Sequence, residues 1–337
     1  MSEQRMGMAF LDRPSPQEQL KLVVQLEELG YESAWITETR LARDAFTILG
    51  AFAAATSRIT LGTGVVNTWT RGPALMAVTF ATLHEMAPGR IVAGLGAYWD
   101  PLAWKQGIDR RKPMSQAREY IGVMRRLFAL EEGVTHETDL LNVRDISLDL
   151  GHGVAREPID VPIYLGPTGP KMMEMGGELA DGVLINGLLS TGYTRSAVEH
   201  IATGAARAGR SLDDVDHPQF VNVAMGDDAA QAREDARYLV TKYLGQQPHI
   251  AKASGLGDDF LARVNETMGG WPARPGGVED AMSLVGDDIV DMLTISGNPA
   301  HCRERIQEWV VAGATYPIIV PITSNYSQIA EELAPSV

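Results

Sequence analysis

The chain has 337 residues, 45% of them apolar and 21% charged, a globular composition that excludes a disordered chain and a collagen-like repeat. Its 29 Lys and Arg against 43 Asp and Glu give a formal charge of −14, which argues against broad binding to nucleic acid or an anionic membrane but leaves room for a local basic pocket. One cysteine, Cys302, excludes an internal disulfide; with no signal-like apolar run in MSEQRMGMAF, a soluble cytoplasmic protein is expected.

Strand-like runs stand at 6–10, 33–37, 59–66, 90–94, 161–165, 182–186, 219–225 and 316–321. They are near-continuous in apolar residues, as strands buried on both faces of a parallel sheet are. Helical patterns fill the gaps. The first starts at Pro16, carries a stripe of Leu20, Val23, Val24, Leu26 and Glu27, and stops at Gly30. Others are predicted at 45–55, 73–86, 115–130, 170–179, 194–208, 228–244 and 299–312, the last with Asn298 as N-cap and Pro299 in its first turn.

Eight strand–helix repeats are the parts of a (β/α)8 barrel, although a doubly wound open sheet shares the alternation and the pattern leaves both open. A barrel of about 250 residues leaves a surplus. It is assigned to a hairpin excursion at 131–160 and a Gly-, Asp- and Pro-rich insertion at 245–290, with the short run 291–296 counted in the latter. No composition break divides the chain, so one domain over 1–337 is expected.

Phosphate-loop, zincin, nucleophile-elbow and EF-hand motifs are absent, and no histidines pair at metal spacing. Gly94-Leu95-Gly96 lacks the last glycine of a dinucleotide fingerprint, because position 99 is Trp. In a barrel, chemistry sits on the loops after the strands. Four are distinctive: Thr37-Glu38-Thr39-Arg40, Gly62 to Trp69, Ala97-Tyr98-Trp99-Asp100, and Gly166-Pro167-Thr168-Gly169-Pro170-Lys171. The last precedes a helix whose N-terminal N–H groups favour an anion, or it is a plain turn with a Pro starter. Glu38 reads as an active-site carboxylate or as the partner of a nearby arginine. Tyr98 and Trp99 wall a flat ligand or plug the mouth. Arg110-Arg111-Lys112 reads as a solvated face or as a seat for an anionic tail.

The stretches GYESAWITETRLARDAF, RITLGTGVVNTWTRGPALMAVTFATLHEMAPGRIVAGLGA, RRKPMSQAREYIGVMRRLF, VPIYLGPTGPKMMEMGGELADGVLING and SGNPAHCRERIQEWVVAGA together resemble the bacterial luciferase-like superfamily. Within it they are most similar to the F420-dependent methylenetetrahydromethanopterin reductases. The resemblance implies a (β/α)8 TIM barrel with an insertion, commonly a homodimer. It implies a non-prolyl cis peptide at Gly64-Val65 backing a tricyclic cofactor ring, with Asn67 and Thr68 beside it. It also implies a phosphate seat at Gly166, Pro167, Thr168 and Gly169, and cofactor contacts at Ile185 and Asn186.

Departures from that family bear on the chemistry. Where the reductases carry three acidic residues, this chain has Ala9, Glu38 and Trp99, and Thr39 replaces the histidine that deprotonates alcohols in related dehydrogenases. The resemblance therefore implies an F420-dependent oxidoreductase acting on a small organic substrate, as a reductase of a C=C, C=N or similar acceptor. Glu38 would be its catalytic residue, touching cofactor as well. Thr39, Trp69, Tyr98 and Trp99 would shape the substrate pocket, and 245–290 would cover it. An FMN-dependent monooxygenase and a non-catalytic flavin-binding protein are the alternatives. No metal, nucleic acid or membrane partner is expected.

Overall fold

A computed structural model describes residues 5–38, 40–148 and 157–335. In chain order the first half is β1 (Gly7–Phe10), α1 (Pro16–Glu28), β2 (Ser33–Ile36), α2 (Ala45–Ala55), β3 (Thr60–Thr63), β4 (Val66–Asn67), α3 (Pro73–Met86), β5 (Ile91–Gly96), α4 (Asp100–Lys105), α5 (Pro113–Phe128), β6 (Val134–Glu137) and β7 (Asn142–Ile146). There follow β8 (Ile163–Leu165), α6 (Pro170–Leu179), β9 (Gly182–Val183), α7 (Thr191–Arg207), β10 (Gln219–Met225), α8 (Ala229–Gln246), α9 (Pro248–Ala253) and α10 (Asp258–Met268). The chain ends with α11 (Gly277–Met282), α12 (Asp287–Leu293), β11 (Ile295–Gly297), α13 (Pro299–Val311), β12 (Pro317–Pro321) and α14 (Tyr326–Glu332).

The parallel sheet runs β10-β12-β1-β2-β3-β5-β8-β9, and bridges Gly182↔Asp216 and Ile185↔Gln219 join its last strand to its first. The Ile185 N–H donates to Pro218 O at 2.9 Å and the Phe220 N–H to Ile185 O at 3.0 Å. An open doubly wound sheet keeps two edges, so this closure decides for the barrel. The last-insertion reading of 291–296 is corrected: α12 takes its first residues, and β11 extends the sheet beside β10 in the register Val223↔Ile295. Within 131–160, β6 and β7 pair antiparallel with His136 opposite Val143; residues 149–156 lie outside the described ones. The 245–290 segment is helical. Its α10 buries Leu261, Val264 and Met268 at helical spacing, and with Val240 and Leu244 of α8 they form a second apolar core.

The lower end of the barrel is closed by side chains from the starts of the strands. Trp35 Nε1 donates to Ser33 Oγ at 2.9 Å, Ser33 Oγ to the Tyr316 hydroxyl at 3.2 Å, and Tyr164 to Asp216 at 2.8 Å, with Arg5 stacked 4.4 Å over the Tyr316 ring. Ligand access is thereby confined to the other, C-terminal end.

α1 begins with a capping box, Ser15 and Glu18, and buries Leu22, Val23 and Leu26. Glu27, read above as part of the apolar stripe, has a different task. Its carboxylate accepts the N–H groups of Ser57 (2.9 Å), Arg58 (2.5 Å) and Ile59 (2.9 Å), the chain entering β3. Burial disfavours its charge, but these donors outweigh burial and pull its pKa down to about 2. The folded value lies below the unfolded 4.5, so the stabilisation is complete above that pH and is lost as pH falls through about 2. Glu27→Gln is expected to cost about 1–3 kcal/mol in urea unfolding at neutral pH. The gap between wild type and variant should close in acid.

Candidate active site

A cavity of about 540 Å³ opens at the C-terminal end of the barrel. Its base depends on where β3 ends. The chain leaves the sheet at Gly64-Val65, whose peptide bond is cis, and returns as β4 beside β5 in the register Val66↔Leu95. The Val65 side chain sits between the ends of β5 and β8. A Cβ on Gly96 would lie 2.5 Å from Val65 Cγ2, and one on Gly166 would lie 2.8 Å from Val65 Cγ1. Both glycines are therefore required by close packing. Across the lumen, Phe220 leaves no room for a side chain at Gly64, where a Cβ would meet its ring at 2.8 Å.

Glu38 follows β2 and lines the cavity, yet it is paired. Arg71 Nη1 donates to its two oxygens at 2.9 and 3.0 Å, and Asn67 Nδ2 reaches it at 3.4 Å. Arg71 also bonds Asp44, lies 4.7 Å over the Phe46 ring, and has its carbonyl held by the Tyr120 hydroxyl at 2.7 Å. Burial works against the charge on Asp44, but hydrogen bonds from Thr47 and the Arg71 guanidinium hold its carboxyl below the usual range. Of the two readings of Glu38, the arginine partnership is present, with the carboxylate still facing the cavity.

Of the residues singled out from sequence, Glu38, Gly64, Val65, Asn67, Tyr98, Trp99, Gly166, Pro167, Thr168 and Asn186 line the cavity. Thr68, Trp69, Gly169 and Ile185 do not. Thr68 is buried beneath the bulge, exchanging hydrogen bonds with Gln116 at 2.7 and 2.9 Å. Trp69 Nε1 is spent on Ala97 O at 3.2 Å. Gly169 is the N-cap of α6. Ile185 points outward into the core under α7, because alternation along the strand sends Leu184 and Asn186 inward instead. Thr39 lies outside the described residues, Lys171 is exposed and lines no part of the cavity, and Ala9 is buried within the barrel.

Arg110 of the basic run, singled out from sequence as a solvated face or an anion seat, lines the cavity and donates to Ala97 O at 2.6 Å and Asp100 at 2.7 Å. Sequence reasoning missed several other walls. Phe220 and Asn222 face the lumen from β10, and Tyr243, Gln246, Gln247 and His249 form a wall from the end of α8 and the start of α9. The alternation within 219–225 was a usable signal for Phe220 and Asn222; no local signal marks the α8–α9 wall. Tyr243 is held by Asn186 Nδ2 at 3.0 Å, and burial pushes its phenol well above the ordinary value. Among the described residues no cluster of three metal-ligating side chains forms, and no helix is long and apolar enough to cross a membrane.

The sequence profile of the luciferase-like monooxygenase family matches residues 2–316. The chain belongs to the luciferase-like monooxygenase family. This luciferase-like chain is 32% identical over 292 residues to 5,10-methylenetetrahydromethanopterin reductase of Methanolobus tindarius, covering 86% of this chain and 85% of that one. It is 33% identical over 306 residues to the enzyme of the same name from Archaeoglobus fulgidus, covering 88% and 87%. Its fold superposes on the coenzyme F420-dependent tetrahydromethanopterin reductase of Methanopyrus kandleri with a TM-score of 0.85 and 26% identity, over 99% of this chain and 98% of that one.

The Arg71 cluster makes a prediction independent of turnover. Arg71→Leu leaves the largely buried Glu38 without its cation, whereas Asp44 keeps its Thr47 bonds and its exposure, and is expected to cost about 2 kcal/mol in chemical denaturation. Glu38→Gln, which leaves Arg71 with Asp44, should cost clearly less.

Proposed function

We propose that this protein is an F420-dependent oxidoreductase that moves a hydride between the deazaflavin and a small organic substrate, acting as a reductase. The observation that carries the reading is the Val65 bulge, seated between Gly96 and Gly166 at the base of a cavity large enough for a flat ring. Fit is supported by the donor set. Gly64 and Val65 would back the ring, with Asn67 and Asn186 at its edges. Gly166, Pro167 and Thr168 lead into the N-terminus of α6, which has no side-chain cap and suits a phosphate. Thr68, Gly169 and Ile185 act in this reading by support: Thr68 fixes the bulge, Gly169 starts α6, and Ile185 anchors the strand that presents Asn186.

Bound there, the deazaflavin supplies the hydride donor or acceptor. The chain holds the ring, keeps bulk water from its inner face with Val65, Leu184 and Phe220, and offers the remaining volume to substrate. Glu38 orients Asn67 and, through Arg71, the loop after β4; this makes it a positioning residue more than a proton carrier. Tyr98 and Trp99 wall the substrate side, and 245–290 closes it through the α8–α9 turn. Trp69 buttresses that side from behind by its bond to Ala97.

The active form is proposed to be a homodimer of single-domain chains joined through α2 and α3. The outward positions of those helices include Ala51, Ala54, Leu75, Val78 and Met86, with Leu75 58% exposed, and α2 carries no charged residue. The acidic composition and one buried cysteine support a cytoplasmic setting.

Titration of purified protein with F420 and, separately, FMN tests the cofactor. Tight F420 and weak FMN binding are expected, and the reverse would assign the protein to flavin-peroxide monooxygenation. Gly166→Val, which displaces Val65 into the ring site, should weaken F420 binding about tenfold or more while the circular dichroism spectrum stays unchanged. Leu75→Glu should convert the dimer to monomer in sedimentation velocity, and a wild type that sediments as a monomer would refute the dimer.

A further inference from the structure

Among the described residues, the polar side chains that line the cavity and are nine-tenths or more buried are Thr37, Asn67 and Asn222. Two have spent their hydrogen-bonding groups inside the protein. Thr37 Oγ1 donates to Phe10 O at 3.3 Å. Asn67 Oδ1 accepts from the N–H groups of Trp69 and Thr70 at 3.0 and 2.9 Å, and its Nδ2 donates to Glu38.

Asn222 differs. Its Oδ1 accepts the Leu188 N–H at 3.1 Å, which fixes the amide orientation and leaves the NH2 group as the other end. Among the described residues that NH2 donates to nothing. The chain after β9 is shaped around this arrangement. A Cβ on Gly187 would lie 2.3 Å from Asn222 Oδ1, so a side chain there would push the amide out of this position. Leu188 adopts φ +58°, a left-handed conformation uncommon for leucine, as it presents its N–H. Asn222 is 6% exposed and lines the cavity, so this NH2 end is open there to an acceptor, from a ligand or from water.

The surroundings limit what that acceptor is. Beyond the residues that back the ring, the cavity walls contributed by Leu188 and Val320 are apolar. The charges lining the cavity are either paired, Glu38 with Arg71 and Asp100 with Arg110, or stand at the exposed rim, as Arg40 and His249 do. Among the described residues an anionic substrate would find no buried, unpaired cation at its depth, whereas a neutral carbonyl asks for one N–H donor. We infer that the substrate is an uncharged, largely apolar carbonyl compound whose oxygen is bound by the Asn222 amide. This rests on the oxidoreductase reading above and adds the substrate class and the residue that reads it.

The test is direct binding to the F420-loaded protein, read by ligand-observed NMR with no turnover required. The probes are mono-, bi- and tricyclic enones and carboxylates of matched skeleton. The enones are expected to bind saturably and the carboxylates not. Asn222→Leu, and Asn222→Asp, which keeps the acceptor for Leu188 but replaces NH2 by an oxygen, should weaken enone binding about tenfold or more. Asn222→Asp should in addition bind the matched cyclic amines better than wild type does, a gain that a merely structural asparagine would not produce. F420 binding is measured on every variant and should be unchanged. Carboxylate preference, absence of enone binding, or enone binding indifferent to both substitutions would overturn the inference with the cofactor reading intact. Loss of F420 binding with retained enone binding would make Asn222 a cofactor contact instead. Failure of wild type to bind F420 at all would refute the underlying reading.

Discussion

One steric fit organises the upper half of this molecule: the side chain of Val65 lies between two positions that tolerate no Cβ, Gly96 and Gly166. Three neighbouring strands meet there. The bulge after β3 leaves the sheet, β5 ends on Gly96 and β8 is followed by Gly166 beside it, and the cavity opens above. Because interiors are packed to crystal-like density, the bulge, the strand ends and the loop into α6 hold one another in place. A change at any of the three positions is felt at the other two.

Electrostatics secures the same region from the side. Glu38, Arg71 and Asp44 form a chain of charges that joins the loop after β2 to the loop after β4. Both loops leave the C-terminal ends of strands, where chain direction is least constrained by the sheet. Two hydrogen bonds from the Arg71 guanidinium tie the Glu38 carboxylate to the loop after β4 while it still lines the cavity. The remaining buried polar groups divide in the same way: Asn67 is spent within the protein, and Asn222 keeps a donor for something else. In an apolar lumen, satisfied and unsatisfied groups separate scaffold from ligand contact more sharply than residue type does.

The second core, on α8 and α10 to α12, brings the wall of Tyr243, Gln246, Gln247 and His249 over the barrel mouth. Barrel enzymes vary their chemistry through the segments attached to this end. Here the attachment is a packed helical layer, so the wall is held by its own apolar contacts as well as by the barrel.

The sequence by itself determined the eight strand–helix repeats and their order, but not the helices of 245–290 or β11. Helices 45–55, 73–86 and 170–179 were legible to the residue, and strand 219–225 likewise, because apolar periodicity and Pro starters are local signals. The cavity positions Glu38, Gly64, Val65, Tyr98 and Trp99 were reachable too, since residues after strands fall on one rim of a barrel. Tertiary structure alone decided the rest. Closure depended on β9 meeting β10, a contact between strand ends that no local pattern encodes. Whether Ile185 or its neighbours faced the lumen turned on register, where a shift of one residue reverses the face. Whether Glu38 was free or paired turned on Arg71, 33 residues away in sequence but 2.9 Å away in space. Hydrogen-bond partners are properties of the folded chain, and with them goes the division between residues that build this site and residues left to use it.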